Sequence, residues 1–400
     1  MASSASRPIA FSSRMGRDVP NAIALAEVRV RREGRALRSL NDSNPTRHGL
    51  APDCLPGQYL ADPRGPLSSR TAIAGFLSSR GDEGRVDPNR VYVLDSTSQA
   101  YAWLFMLMCD PSDSVLAPKP GYPLIESIAS LTCVNVEEYQ LRYDGSWTVD
   151  VADIERILRG PRGQRIRALV VINPNNPTGS YLHEGERDAI LALCREFGLA
   201  LIADEVFYPY SLEPLPGRRR LAGEDGVLTF GLDGLSKSLA APHAKVGWIQ
   251  VSGPRDAVNE ALPLLDRVAD DFLPVGACVD ARIPGLLQGV DAQTERVSER
   301  TRGNLTALRG ILDDDRDGLV SLLRPEGGWN VLVRIPATID EDDVVLTLLR
   351  DYGITGQPGY FFDMPANGYL ALSLLPEPRT FIANVTALLD VVGRLAGQTL

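Results

Sequence analysis

Residues 234–248 read GLSKSLAAPHAKVGW and follow an apolar run, VLTFGL at 227–232, that is typical of a buried strand. Lys237 lies just beyond this run. Only three of the 41 basic residues in the chain are lysines, namely Lys119, Lys237 and Lys245. A lysine in a dry pocket can lose its proton and attack a carbonyl carbon, whereas the guanidinium of arginine stays charged. A solvated lysine would fit a strand end equally well, but the motifs described below favour Lys237 as a nucleophile.

The composition limits the partners of the chain. Its 400 residues, 44% of them hydrophobic, allow a large core and two domains. A net charge of −10 and a pI near 5.0 argue against nucleic acid or an anionic membrane surface as the main partner. The longest apolar run, at 100–109, suits a buried helix rather than a membrane span. Five scattered cysteines and three separated histidines indicate reduced thiols, a cytoplasmic location and no metal site.

Short apolar runs alternate with helical patterns in the middle of the chain. The runs that predict strands lie at 91–95, 114–118, 168–174, 199–206 and 227–232, and a helix is predicted over 99–109. Such alternation is typical of parallel strands joined by crossover helices. We therefore expect an α/β fold whose large domain has a mostly parallel sheet flanked by helices.

The pattern changes after Ser252. Helices are predicted over 256–271, 295–312, 340–351 and 380–395, and strands within 327–336 and 369–375. These elements indicate a second, smaller α+β domain. We assign residues 1–55 to an N-terminal arm and part of the small domain, 56–255 to the large domain, and 256–400 to the C-terminal small domain.

Three polar motifs end three neighbouring strands. NPNNPTG at 173–179, ADEVF at 203–207 and SKSLAAPHAKVG at 236–247 follow apolar runs in that order. Ligands of open α/β sheets bind beyond the carboxyl ends of the strands, where each motif falls. The order and spacing resemble the fold-type I, pyridoxal-phosphate-dependent aminotransferases of class I/II, over about residue 43 to the C-terminus. The resemblance implies pyridoxal 5′-phosphate as cofactor and a homodimer with shared active sites.

The resemblance also assigns roles to individual residues. Lys237 resembles the Schiff-base lysine, and Asp204 the carboxylate that binds the protonated ring nitrogen of the cofactor. Tyr122 matches the aromatic residue that stacks on the ring, and Asn176 the residue that binds the ring hydroxyl. The remaining cofactor positions belong to the phosphate group and fall on Ser96, Thr97, Ser98, Ser236, Lys245 and, from the neighbouring subunit, Tyr59. Independently of the resemblance, a Ser-Thr-Ser run before a helix suits phosphate, because the helix N-terminus presents free N–H groups.

The chain departs from the family pattern at four positions. Lys245 stands where the family has a phosphate-binding arginine, and Gly234 where a phosphate-binding serine is common. Phe207 replaces a tyrosine whose hydroxyl binds the ring oxygen, a role that Tyr208 or Tyr210 could take. Ala371 stands where the family has the arginine that binds the substrate α-carboxylate.

The loss of that arginine leaves the substrate open. Candidates for substrate binding are Arg334, Arg47 and Asn44. The favoured function is an aminotransferase that moves an amino group between an amino acid, common or unusual, and a 2-oxo acid. The alternative is other pyridoxal phosphate chemistry on an amino acid, by a lyase, cyclase or oxidase of a specialised pathway. A transcription regulator with an aminotransferase-like domain is disfavoured, because few residues precede Tyr59 and the chain is acidic.

Overall fold

A computed structural model describes residues 7–15, 21–37, 44–55, 58–80, 84–273 and 275–399. Within these residues the β-strands, numbered β1 to β12 in chain order, are Val91–Leu94, Ser114–Lys119, Asn135–Tyr143, Trp147–Val149, Ile166–Ile172, Ala200–Asp204, Thr229–Gly234, Gly247–Ser252, Ser321–Leu322, Asn330–Arg334, Gln357–Pro358 and Tyr369–Ser373. The α-helices, numbered α1 to α13, are Ala22–Arg32, Leu67–Ser78, Thr97–Met108, Leu124–Leu131, Val151–Arg159, Glu184–Phe197, Leu235–Ser238, Arg255–Phe272, Ala277–Asp280, Ile283–Gln288, Val290–Asp314, Glu341–Tyr352 and Pro378–Thr399. Short 3₁₀ turns lie at Ser13–Met15, Pro45–His48, Pro88–Arg90, Gly163–Arg165, Pro242–Ala244 and Gly359–Phe362.

The larger sheet has eight strands in the order β1-β8-β7-β6-β5-β2-β3-β4. β7, β6, β5 and β2 pair in parallel, as predicted, and β3, which was not predicted as a strand, pairs in parallel with β2. β8 was not predicted; it pairs antiparallel with both β7 and β1, and β4 pairs antiparallel with β3. Helices cover both faces of this sheet, and α3 and α8 pack over its apolar side chains on one face. The α/β fold with a mostly parallel sheet is therefore confirmed.

The helix that follows β1 begins two residues earlier than the sequence indicated. Ser96 caps it, since its side-chain oxygen accepts a hydrogen bond from the Gln99 N–H at 3.2 Å. A serine hydroxyl at this position satisfies one of the free N–H groups of the first turn. Only Asp95 and Ser96 separate β1 from α3, which places Thr97 and Ser98 just beyond the carboxyl end of the strand.

The smaller sheet has four strands in the order β11-β12-β10-β9. Val333 and Leu370 are buried on it against Val344 of α12 and Val391 of α13. By length and composition, residues Pro378–Gly397 of α13 could cross a membrane, but core helices of soluble proteins pass the same test. Here that helix packs on the sheet and on α11 and α12, with a third of its residues buried.

Residues 7–15 of the N-terminal arm lie against helices of the larger sheet. The Arg7 N–H donates to the Glu196 carbonyl, and the Ser12 N–H to the Leu107 carbonyl, at 3.2 and 2.9 Å. The Ser12 hydroxyl also donates to Asp110 at 2.7 Å. We expected residues 1–55 to be an arm and part of the small domain, so this packing of residues 7–15 was not foreseen. The domain limits themselves remain a prediction.

Candidate active site

The three lysines have different environments. Lys119 is only 4% exposed, and it forms ion pairs with Glu126, Glu138 and Asp363. Burial would lower its pKa, but the hydrogen bonds from its ammonium to Asp363 and Glu126 outweigh burial, so the pKa is raised. For Lys237, burial lowers the pKa and the Asp204 carboxylate only partly opposes the shift. Lys245 is exposed. Lys237 is thus the lysine whose surroundings favour a neutral amine.

Asp204 is the last residue of β6, and its carboxylate is buried. Tyr101, on α3, donates its hydroxyl proton to Oδ2 at 2.9 Å, and the Val206 N–H donates to Oδ1 at 3.3 Å. Burial raises the pKa of Asp204 to about 6, although both hydrogen bonds and the Lys237 charge oppose the rise. Glu205 points the other way and accepts from the Leu221 N–H at 2.9 Å. Asp204 is therefore the carboxylate on the side of Lys237.

Aromatic rings surround the Lys237 side chain. Its Nζ lies 5.1 Å from the ring centre of Phe207 and 5.2 Å from that of Trp329. Trp329 packs edge-on against Phe207 and against Tyr210, with ring centres 5.3 and 5.0 Å apart. The Tyr210 hydroxyl donates to the Lys237 carbonyl oxygen at 2.6 Å. Tyr210 therefore fixes the backbone of Lys237, and the proton of its hydroxyl is already donated to the Lys237 carbonyl.

Asn176 meets the smaller sheet. Its Oδ1 accepts a hydrogen bond from Nδ2 of Asn330, the first residue of β10, at 2.9 Å. Gly179, three residues later, has φ +71°, and a Cβ there would lie 2.6 Å from the Gly327 carbonyl oxygen. Only glycine fits this backbone conformation and this close approach. The turn of the NPNNPTG motif is thereby held against the turn that precedes Trp329.

The predicted phosphate residues lie near the start of α3 and the start of β8. Gly247 packs so closely on this corner that a Cβ would lie 3.2 Å from the Thr97 nitrogen. A Cβ at Gly234 would lie 2.7 Å from the Val246 carbonyl oxygen, so the serine common in the family does not fit here. Ser98 and Ser236 are half-buried. This corner therefore combines the helix N-terminus with the Ser96, Thr97 and Ser98 hydroxyls, and the exposed Lys245 lies two residues before Gly247 in the chain.

Tyr122 lies on the loop after β2 and is 38% exposed. Burial raises the pKa of its hydroxyl, and the Asp204 carboxylate adds to the rise. The Tyr122 hydroxyl and Asp204 are therefore close enough to interact electrostatically. The neighbouring Gly121 N–H donates to the Phe362 carbonyl at 3.1 Å, which ties this loop to the smaller unit.

The residues predicted from the arm lie together on the surface. Asn44 donates from Nδ2 to the Tyr59 carbonyl at 3.0 Å, and the Tyr59 N–H donates to the Thr46 hydroxyl at 2.9 Å. The Tyr59 side chain is 41% exposed, and Arg47 is exposed beside it. The single chain does not bring these side chains into contact with Lys237 or Asp204 within the residues described.

Ala371 is buried in an apolar setting. It pairs with Leu332 across β10 and β12, and its side chain belongs to a cluster with Phe362 and Met364. Arg334 is exposed at the end of β10, opposite Tyr369. Because diagonal neighbours in a sheet are about 7–8 Å apart, Arg334 can extend toward the space beside Ala371.

Pyridoxal phosphate fits this arrangement. A buried carboxylate without an ion pair is unfavourable, and the described residues form no ion pair with Asp204. A protonated ring nitrogen would supply the missing cation. Lys237 offers an amine of lowered pKa, and the corner at Thr97 suits the phosphate. Among the residues described, no group of three or more His, Cys, Asp or Glu side chains could hold a metal ion.

Three residues at the site were missed in the sequence. Tyr101 lies within an apolar helical run, where a tyrosine is indistinguishable from a core residue. Trp329 and Asn330 follow two glycines before a strand, which indicates a turn but not what it approaches. All three take their place only when distant elements pack together.

Comparison with known proteins identifies the family. The model of the aminotransferases of class I and II matches residues 58–376. The alanine aminotransferase of Mycobacterium tuberculosis is 27% identical over 90% of this chain and 86% of its own length. The glutamate–pyruvate aminotransferase of Haemophilus influenzae is 28% identical over 90% of this chain and 91% of its own. The solved structure of an alanine aminotransferase from Pyrococcus furiosus has a TM-score of 0.75, covers 84% of each chain and is 21% identical.

The family match spans most of the chain, and the site holds the residue types that the family's cofactor requires. The chain therefore belongs to the class I and II aminotransferases, as a pyridoxal phosphate-dependent enzyme that transfers an amino group between an amino acid and a 2-oxo acid.

Proposed function

We propose that Lys237 is both the residue that binds the carbonyl carbon of the cofactor and the acid/base that moves the proton in amino-group transfer. Asp204 binds the ring nitrogen, and Asn176 the ring oxygen. Pyridoxal phosphate supplies the electron sink that stabilises negative charge on the substrate carbon. The observation that carries this proposal is the lowered pKa of Lys237 beside the buried Asp204 carboxylate.

The surroundings of Lys237 suit proton transfer. Desolvation by the rings of Phe207 and Trp329 favours the neutral amine, which is the form that accepts a proton. The hydrogen bond from Tyr210 to the Lys237 carbonyl fixes the backbone, so the side chain pivots from a defined point. The phosphate corner then anchors the far end of the cofactor through Ser96, Thr97, Ser98, Ser236 and Lys245.

Borohydride trapping tests the assignment of Lys237. Reduction of the purified holoenzyme should attach the cofactor covalently to a peptide that contains Lys237, and Lys237→Ala should abolish the adduct. Lys119→Arg is the matched control, because Lys119 is a buried lysine whose carboxylate partners an arginine can also bind. It should leave the adduct intact. An adduct mapped to Lys119 or Lys245 would contradict the proposal.

The donor amino acid follows from what lines the site. Relatives are named alanine and glutamate–pyruvate aminotransferase, which makes alanine and glutamate natural test donors. In this chain, however, Ala371 cannot bind the α-carboxylate, and Phe207 and Trp329 form an apolar wall. The site therefore favours a donor with an apolar or aromatic side chain over glutamate or aspartate.

A second cation replaces the missing arginine in this proposal. Arg334 ranks first, because it lies diagonal to Ala371 in the smaller sheet. Arg47 and Asn44 rank behind it, since both belong to the exposed arm in a single chain. In a homodimer, the exposed arm that carries Arg47 and Asn44 would lie near the active site of the partner subunit. The exposed Tyr59 would then reach the phosphate in the partner's site, and the arm would cover the partner's substrate. A cytoplasmic location accords with this metabolic role.

A further inference from the structure

Asn330 bonds to a residue that the cofactor needs. Its Nδ2 donates to Oδ1 of Asn176 at 2.9 Å, across the boundary between the smaller and the larger sheet. Both side chains are half-buried, and the two residues are 154 positions apart in the chain. Asn330 is the first residue of β10, directly after the Trp329 ring that packs over Lys237. The bond therefore forms at the wall of the site.

The hydrogen bond decides which way the Asn176 amide faces. A side-chain amide has one oxygen that accepts and one NH₂ group that donates. Since Asn330 uses the oxygen of Asn176, the NH₂ group is the part left for the cofactor. The neighbouring Asn175 is a useful contrast. Its oxygen accepts from the Thr178 hydroxyl at 2.9 Å, and its NH₂ donates to the Pro120 carbonyl at 3.3 Å, so Asn175 serves the turn alone.

The orientation of Asn176 matters more in this chain than in a family member that has a tyrosine at the position of Phe207. Phe207 has no hydroxyl to donate to the ring oxygen of the cofactor, and the hydroxyl of Tyr210 is used by the Lys237 carbonyl. The Tyr208 ring packs edge-on against Tyr181 and under the Arg220 guanidinium. Asn176 is thus the side chain left to donate a hydrogen bond to the ring oxygen, and it can donate because its amide is held in one orientation.

We propose that Asn330 is a positioning residue that holds the Asn176 amide with its NH₂ group toward the ring oxygen of the cofactor. This role rests on the proposed function, in which Asn176 binds that oxygen. A donor stabilises the ionised form of the oxygen, so it lowers the pH at which the bound cofactor loses its proton.

Two substitutions separate orientation from simple packing. Asn330→Ala removes the bond and frees the Asn176 amide to rotate. Asn330→Asp offers only acceptor oxygens when ionised, so the Asn176 NH₂ group turns toward residue 330 and its oxygen faces the cofactor. We expect the pH midpoint of the absorbance change of the bound cofactor to rise by about one unit in Asn330→Ala, and by more in Asn330→Asp. Cofactor dissociation, followed by fluorescence, should be faster in the same order.

A rescue and a control complete the test. Phe207→Tyr in the Asn330→Ala background supplies a new donor to the ring oxygen and should return the midpoint toward the wild-type value. Asn304→Ala is the control, because Asn304 is also a buried amide but donates to the Leu374 and Pro376 carbonyls instead of to Asn176. It should lower the thermal stability of the protein and leave the midpoint unchanged.

The outcomes distinguish this role from the proposed function. A midpoint that stays at the wild-type value in both Asn330 variants, while borohydride still traps Lys237, overturns the positioning role alone. An adduct at another lysine overturns the proposed function itself. An upward shift that Phe207→Tyr reverses and Asn304→Ala does not reproduce supports the orientation of Asn176 by Asn330.

Discussion

Asp204→Asn should stabilise the protein without its cofactor, and the gain should depend on pH. Burial raises the pKa of Asp204 to about 6 from an ordinary value of 3.8. The folded state therefore resists ionisation of this carboxyl by about 3 kcal/mol, at 1.36 kcal/mol for each pKa unit. Asparagine keeps an oxygen that can accept the Tyr101 hydrogen bond, and it carries no charge. The substitution removes the cost of a buried, unpaired carboxylate.

The pH window follows from the sign of the shift. Below about pH 4 the carboxyl is protonated in the folded and the unfolded chain, so the two proteins should be equally stable. Between about pH 4 and 6 the unfolded chain releases its proton first, and the wild-type protein loses stability as the pH rises. Above about pH 6 the difference should level off near 3 kcal/mol in favour of the variant. The assay is urea unfolding of both proteins without cofactor at pH 4 and pH 8, at one protein concentration, since assembly changes apparent stability.

The cofactor should reverse this order. A cationic ring nitrogen pairs with the Asp204 carboxylate but not with asparagine, so the cofactor should stabilise the wild type more than the variant at pH 8. Asp150→Asn is the control of opposite sign, because the hydrogen bond from Arg142 lowers the pKa of Asp150. That variant should lose stability at pH 8 rather than gain it. If Asp204→Asn without cofactor is less stable than wild type at pH 8, the carboxylate has a cationic partner that the structure does not show, and the reasoning fails.

Three further predictions concern neighbouring residues. Tyr101→Phe removes a hydrogen bond to a charged acceptor, worth about 1.5–3 kcal/mol, so cofactor affinity should fall about ten- to a hundredfold by equilibrium dialysis. Phenylalanine or leucine should give at least about tenfold higher kcat/KM than glutamate in stopped-flow half-reactions. Arg334→Ala should lower kcat/KM for the apolar donors and for glutamate, whereas Arg47→Ala should not if the site is built from one chain. Rapid turnover of glutamate would contradict the donor proposal. Mixing Tyr59→Phe with Lys237→Ala subunits should restore activity above the mean of the two parents, and failure to do so would argue against shared sites.

The position of the candidate site could be predicted because its signals are local. A lysine that follows a buried strand, an aspartate at the end of LALIAD, and the NPNNPTG turn each lie within one short stretch of sequence. In a parallel sheet, strand ends meet at one edge, so local patterns suffice to bring Asp204, Asn176 and Lys237 to the same side. The roles of Arg334, Arg47, Asn44 and Tyr59 remain predictions, because a single chain leaves the arm and the end of β10 exposed.

The tertiary structure alone decided the partners of those residues. Tyr101 reaches Asp204 from 103 positions away because α3 packs on the face of the larger sheet, and no pattern in the run 100–109 marks one of its aromatics as polar in function. Asn330 reaches Asn176 because the smaller sheet meets the larger one at Gly179 and Gly327. β8 was likewise not predicted from the sequence, and an apolar run predicts a strand without showing in which direction it pairs. Sequence periodicity reports which face of an element is buried, whereas side-chain contacts depend on how separate elements pack, which the local pattern does not encode.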